Sequence, residues 1–352
     1  MTSATINDLE LYRLEIPCAG QREPVWSLVA RVATNTGLEG WGEARVAWRP
    51  SELTARRDAL LPVLAGRSVF EVEDLVSLEA LGSASLRCAL EMACWDLIGR
   101  AARQPLCHLL GGTYRDRVPL AVRLAGDSAR EVAQLSRELA AKGFHAQIIP
   151  SAGNVEADVQ TVGAVREAAH EGADLRFDAA SGYDMDAALD LCLHLEGEGL
   201  QCVVDPLRSG DLDQVAALRR QTVVPLAVGR AIHGPADVLA LIRCGAAGFV
   251  VVNLQAVGGI LAARKCAAVV EAGHLAASLD GGPSLGIAMA AVLQLAASTP
   301  GFDRCAECFC HQLQDDVLAE PLEIVDGTIA VPRGPGLGVE VDRNKIERYQ
   351  VG

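Results

Sequence analysis

From Val118 onward one unit recurs: a short apolar run rich in β-branched residues, a polar residue with a Gly or Pro break, then a helical pattern. Runs begin near Val118, His145, Asp174, Gln201, Pro225, Phe249 and Leu275. Helical periodicity follows over 129–142, 155–171, 185–198, 212–220, 235–244, 260–272 and 285–297. Such even spacing predicts an α/β fold, a (β/α)7β TIM barrel whose eighth strand lies somewhere after Phe302. In a barrel of this kind the residues just past each strand converge on one mouth. Asp178 in LRFDAAS, Asp205 in VVDP and Arg230 in AVGRAI are therefore the first site candidates.

The chain on either side of the repeat reads differently. Segments 6–16, 27–34 and 38–43 read as strands, the last two joined by a turn at Asn35, Thr36 and Gly37. Helices are predicted over 52–64 and 83–100, and Gly111 and Gly112 close the apolar stretch after them. The expected organisation is an α+β capping domain over 1–117, the barrel over 118–317, and a segment over 318–352. That last segment is too rich in Gly and Pro for a barrel helix and is expected to return to and complete the capping domain.

With 31 Lys and Arg against 45 Asp and Glu, the net charge is −14, and no basic run carries interleaved aromatics. A nucleic-acid partner is excluded on that ground. Apolar runs are all interrupted well short of a bilayer span and the N-terminus lacks a secretory pattern, so no membrane partner and a cytoplasmic location are expected. The 11 Cys are scattered, which fits free thiols better than a disulfide framework. Cys305, Cys308, Cys310 and His311 suggest zinc by proximity, but no second ligand pair stands at the usual spacing; thiols in a packed segment are the expectation.

Several long motifs resemble the enolase superfamily, in its mandelate racemase and muconate lactonising branch. They are GLEGWGEA at 37–44, ALEMACWDLIGRAARQPLCHLLGG at 89–112, YRDRVPL at 114–120, VGGI at 257–260 and DGTIAVPRGPGLGVEVD at 326–342. The resemblance covers essentially the whole chain. It implies proton abstraction next to a carboxylate, an enolate held on Mg²⁺, and assembly as homo-oligomers, dimers or octamers. Position by position, however, the expected chemistry is thin. The Lys-x-Lys of the second barrel strand falls on Ile148 and Pro150. The first metal carboxylate survives as Asp178; the second falls on Val204, with Asp205 one residue along and expected to face away unless a bulge turns it. The third falls on Gly229 and Arg230. Asn253 and Gln255 follow the sixth strand, and Ser278 and Asp280 end the seventh.

One carboxylate of three is too little for Mg²⁺, so no cofactor is expected, with Mg²⁺ on Asp178 as the alternative. Arg230 is a candidate to fill the ion's place and pair with Asp178, or else to form a structural salt bridge with it. The candidate catalytic set is Asp178, Asp205, Arg230 and Asp280; Arg123, Asn253, Gln255, Ser278 and Trp48 are candidates for binding a small carboxylate or amino-acid-like ligand. The resemblance places lid loops at 17–26, with Arg22 and Glu23, and at 45–52, with Trp48 and Arg49; Glu43 and Trp41 either belong to these or stabilise the domain junction. His145 and His233 are read as solvated or capping residues. Three functions stay open: a metal-independent isomerase or lyase, a non-catalytic binding or regulatory descendant, and a Mg²⁺-dependent racemase or cycloisomerase with Asp205 and Asp280 turned inward.

Overall fold

The computed structural model describes residues 4–19 and 23–352. Strands β1 (Ile6–Ile16), β2 (Val25–Thr34) and β3 (Glu39–Ala44) form an antiparallel sheet in that order. The helix Ala84–Ala102, capped by the Ser83 hydroxyl, packs on β3. Gly42 lets the two backbones meet, since a Cβ there would overlap the Ala89 carbonyl oxygen.

Eight parallel strands follow: β4 (Arg117–Arg123), β5 (Ala146–Pro150), β6 (Asp174–Asp178), β7 (Cys202–Val204), β8 (Leu226–Val228), β9 (Phe249–Asn253), β10 (Ala276–Asp280) and β11 (Ala306–Cys308). Pairing of β11 with β4 closes the barrel. Each strand begins within a residue or so of its expected start, because the apolar runs are buried on both faces and read as continuous stretches. Three helices are shorter than their periodicity predicts, ending at Ala140, Ala168 and His194. Left-handed glycines at 143, 172 and 197 stand in the turns beyond them. The Cys-rich stretch after Phe302 supplies the eighth strand and the short helical turn Cys310–Gln312.

A β-hairpin, β12 (Ile324–Val325) and β13 (Thr328–Ala330), adds to β4, and the helix Arg343–Tyr349 lies against β1. Two buried glutamates of the capping domain tie it to barrel helices. Glu43 accepts from the Leu285 and Ala288 N–H groups at 2.7 and 2.9 Å, at the start of the helix Gly286–Ser298. Glu91 accepts from Ile260 and Leu261 at 2.5 and 2.8 Å, at the start of Ile260–Ala272. Both do the work of N-caps from another domain.

The barrel interior is unusual in holding a long cation. Arg176, 1 % exposed, lies among small and apolar side chains. It donates to Gln201 Oε1 at 2.7 Å and to the Cys305 carbonyl at 3.2 Å, and stacks over Phe249. Among the described residues no helix is long and apolar enough to cross a membrane.

Candidate active site at the barrel mouth

A cavity of about 580 Å³ opens at the C-terminal ends of the strands. Its wall includes Arg123 at the end of β4, Ile148 of β5, Asp178 of β6, Asp205 after β7, Arg230 after β8, Asn253 of β9, Asp280 of β10 and Glu307 of β11, with Arg45 reaching in from the capping domain. Strand register delivers most of these side chains, because residues two apart on a strand share a face. Asp205 arrives differently. Alternation would send it outward, and instead a left-handed backbone at φ +47° turns it into the mouth, a correction to the expected orientation.

Arg230 joins the two aspartates. Its guanidinium meets both oxygens of Asp178, at 2.9 and 3.2 Å, and Oδ2 of Asp205 at 3.0 Å. Arg123 reaches Asp178 Oδ2 at 2.8 Å. The remaining valences are met by backbone: Ala180 N–H donates to Asp178 at 2.9 Å, and the Gly229 and Arg230 N–H groups donate to Asp205 at 2.9 and 3.0 Å. Burial by itself would push the Asp178 carboxyl up, but two guanidiniums overcome it and hold the group below the usual range. For Asp205 burial prevails and the carboxyl is raised, although the N–H groups and Arg230 pull back. One cation shared between two acids satisfies Asp178 first.

Asp280 sits across the mouth, accepting from Asn253 Nδ2 and from the Gly282 N–H, both at 2.6 Å. Its register partner on β11 is Glu307, which sequence reasoning missed. The cations nearest Glu307 are Arg176 at 3.8 Å and Arg123 at 4.0 Å, outside hydrogen-bond range. Burial, reinforced by Asp280, pushes the Glu307 carboxyl up to about 8. Glu307 is therefore held toward its protonated form near neutral pH, beside Asp280. With the eighth strand expected only somewhere after Phe302, its register was open, and alternation could not assign residue 307 to a face.

The other candidates divide. Asn253 and Gln255 line the cavity, yet their amides are committed to the loop: Asn253 Oδ1 accepts from the Gln255 and Ala256 N–H groups, and Gln255 bridges the Arg45 N–H and the Gly281 carbonyl. Ser278 is buried beneath the cavity floor and its hydroxyl has no hydrogen-bond partner among the described residues. Trp48 lies outside the lining, under the Arg56 guanidinium, with its carbonyl held by Arg13. Glu43 belongs to the domain junction, whereas the Trp41 backbone N–H donates to Asp96 at 3.1 Å within the capping domain. His145 faces His170, and the His233 N–H is held by Asp237.

Of the first lid loop, Arg22 lies outside the described residues, and Ala19 N–H is tied to the Gln312 carbonyl at 2.7 Å. Trp26, at its far end, is stacked between the Arg13 and Arg45 guanidiniums. Cys308 reaches the cavity wall and Cys305 packs inside the barrel with Ala121, Ala146 and Ile148. Among the described residues no group of three or more His, Cys, Asp or Glu is placed to hold a metal ion, zinc or Mg²⁺.

Comparison with known proteins agrees with this architecture. The family described as "Mandelate racemase / muconate lactonizing enzyme, N-terminal domain" matches residues 20–111, and "Enolase C-terminal domain-like" matches 130–345. Muconate cycloisomerase 1 of Rhodococcus opacus is 26 % identical, over 99 % of either chain. D-galactarolactone cycloisomerase of Agrobacterium fabrum is 28 % identical, over 92 % of this chain and 91 % of that protein. The crystal structure of 2-chloromuconate cycloisomerase from Rhodococcus opacus superimposes with a TM-score of 0.92 at 25 % identity, covering all of both chains. An isomerase from Streptomyces coelicolor gives 0.89 at 29 % identity over 99 % of either chain. With both of its domains matched, the chain belongs to the mandelate racemase and muconate lactonizing enzyme branch of the enolase superfamily.

Proposed function

We propose that the barrel mouth binds a small carboxylate or amino-acid-like ligand on guanidinium groups and isomerises it, or eliminates a group from it, by acid–base chemistry without a bound metal. The observation that carries this reading is Arg230 seated between Asp178 and Asp205. These residues do not fit a Mg²⁺ ion. Arg230 meets both oxygens of Asp178, the oxygens of Asp205 are taken by Arg230 and two N–H groups, and apolar or glycine residues stand at 148, 204 and 229. Mg²⁺ needs near-octahedral oxygen donors, and a guanidinium in their midst repels it.

Arg123, about one-third exposed, and Arg230, about half exposed, have donors left for an incoming carboxylate. Asp280, held in place by Asn253 and the Gly282 N–H, is positioned as the base. Glu307, kept protonated by burial, donates a hydrogen bond to the ligand oxygen on which charge grows. The muconate and galactarolactone cycloisomerases among the relatives support an isomerisation at a carbon next to a carboxylate. Self-association remains part of the proposal and is read directly by light scattering.

The test uses chelator-treated protein and a library of small carboxylates and amino-acid derivatives, screened first by thermal shift. Binders are then incubated in D₂O and followed by proton NMR. Loss of a carbon-bound proton signal, abolished by Asp280→Asn and slowed by Glu307→Gln, is the expected result. Binding with no exchange or turnover for any ligand would favour the non-catalytic binding protein instead.

A further inference from the structure

One cation at the mouth stands without an acid. The Arg123 and Arg230 guanidiniums are both drawn to Asp178. Arg45 lines the same cavity, yet its guanidinium makes no hydrogen bond or ion pair with any described residue. Acids are not scarce in a chain with 45 Asp and Glu against 31 Lys and Arg. A half-buried arginine on a cavity wall, facing none of them, is a site for an anion that comes from outside.

The surroundings hold this cation in place. Arg45 lies over the Trp26 ring, 4.2 Å from its centre, and Arg13 lies over the same ring at 4.0 Å. The Arg13 guanidinium is spent on the Trp48 carbonyl at 3.1 Å and on Glu15 at 3.5 Å, and brings Arg45 a like charge rather than a partner. The Arg45 backbone N–H donates to Gln255 Oε1 at 2.7 Å, and Gln255 donates in turn to the Gly281 carbonyl at 2.6 Å. Gln255 stands just past β9 and Gly281 just past β10. Asp178, where Arg123 and Arg230 meet, ends β6, which lies across the closed barrel from β10. Guanidinium donors are therefore anchored on two opposite sides of the mouth.

On the reading that Arg123 and Arg230 hold a ligand carboxylate, we infer that Arg45 is a specificity-determining residue that binds a second one. The ligand is then a dicarboxylate, one end on Arg123 and Arg230 and the other on Arg45. A guanidinium fork presents paired N–H donors that match a carboxylate, and the ion pair neutralises a charge the fold leaves uncompensated. An ester or amide at that end accepts a hydrogen bond but leaves the charge standing, and an ammonium there is repelled.

Calorimetric titration of the full-length, chelator-treated protein with the linear dicarboxylates from succinate to suberate, and with the monomethyl ester of each, tests this. At least one diacid should bind the wild type roughly tenfold tighter than its monoester. Arg45→Met should erase that preference, weakening the diacid roughly tenfold and leaving the monoester within about twofold; Arg45→Lys should restore part of it. Equal affinity of every diacid and its monoester would overturn the inference with the wild type alone, and so would an Arg45→Met protein that loses both ligands alike. Diacid binding that Arg123→Met weakens and Arg45→Met leaves untouched would overturn the role of Arg45 while keeping the carboxylate site. Failure of the wild type to bind any of these carboxylates would overturn both.

Discussion

Two pairs of buried acids in this molecule are neutralised in two different ways. At the junction between capping domain and barrel, Glu43 and Glu91 are satisfied by N–H groups at helix starts and by neighbouring Ser and Trp donors. At the mouth, Asp178 is satisfied chiefly by the Arg230 and Arg123 guanidiniums, and Asp205 by two backbone N–H groups together with the Arg230 guanidinium. Backbone donors cannot leave, so the junction is locked. Guanidinium donors swing and exchange one carboxylate for another, so a ligand anion can enter the mouth network without leaving a buried charge alone. The contrast separates acids that hold the fold from acids that serve the site.

Removal of a junction acid should have the largest effect. Glu43→Ala strips acceptors from Leu285, Ala288 and Ser27 and is expected to cost about 2–5 kcal/mol in urea denaturation. A loss under about 1 kcal/mol would erase the distinction. The milder Glu43→Gln sharpens it through pH. Burial raises the Glu43 carboxyl to about 7, despite the pull of its N–H donors, from an ordinary value of 4.5. Its contribution is therefore full below about 4.5 and is lost as pH rises through about 7. Stability of the wild type relative to Glu43→Gln should fall over that window, by up to roughly 3 kcal/mol, read as the difference between two thermal-melting pH profiles. A flat difference would mean that Glu43 is not buried as a neutral acid.

At the mouth the balance should reverse. Arg123→Met is expected to weaken binding of a carboxylate ligand roughly 10–100-fold by calorimetry while costing about 1 kcal/mol or less of stability, since Arg230 still holds Asp178. The smallest effect belongs to Ser278→Ala. Its hydroxyl is buried without a partner, so its removal should leave binding unchanged and stability unchanged or raised by up to about 1 kcal/mol. Weakened binding in that variant would place Ser278 in the site after all.

The barrel was legible in the sequence because each strand is a short apolar run closed by a Gly or Pro break, a local signal. Asp178 was legible for the same reason, as the polar residue ending such a run. Asp205 was legible as a candidate by the same rule, but its orientation was not, because its left-handed backbone at φ +47° breaks the two-residue alternation on which face assignment rests. Glu307 was overlooked amid Cys305, Cys308 and His311, in a strand whose register was open. The caps made by Glu43 and Glu91 join residues at least 242 and 169 positions apart along the chain, and no local pattern marks such partners. Arg176 was hidden inside LRFDAAS, where a charged residue in an apolar run gives no sign that small neighbours on other strands make room for it.

Calorimetric titration of the chelator-treated protein with Mg²⁺ and Mn²⁺ tests the central claim, that Arg230 stands where a metal would. The expected result is no stoichiometric binding up to millimolar metal. Tight one-to-one binding would contradict it, and would mean that Asp178 and Asp205 release Arg230 to take up the ion.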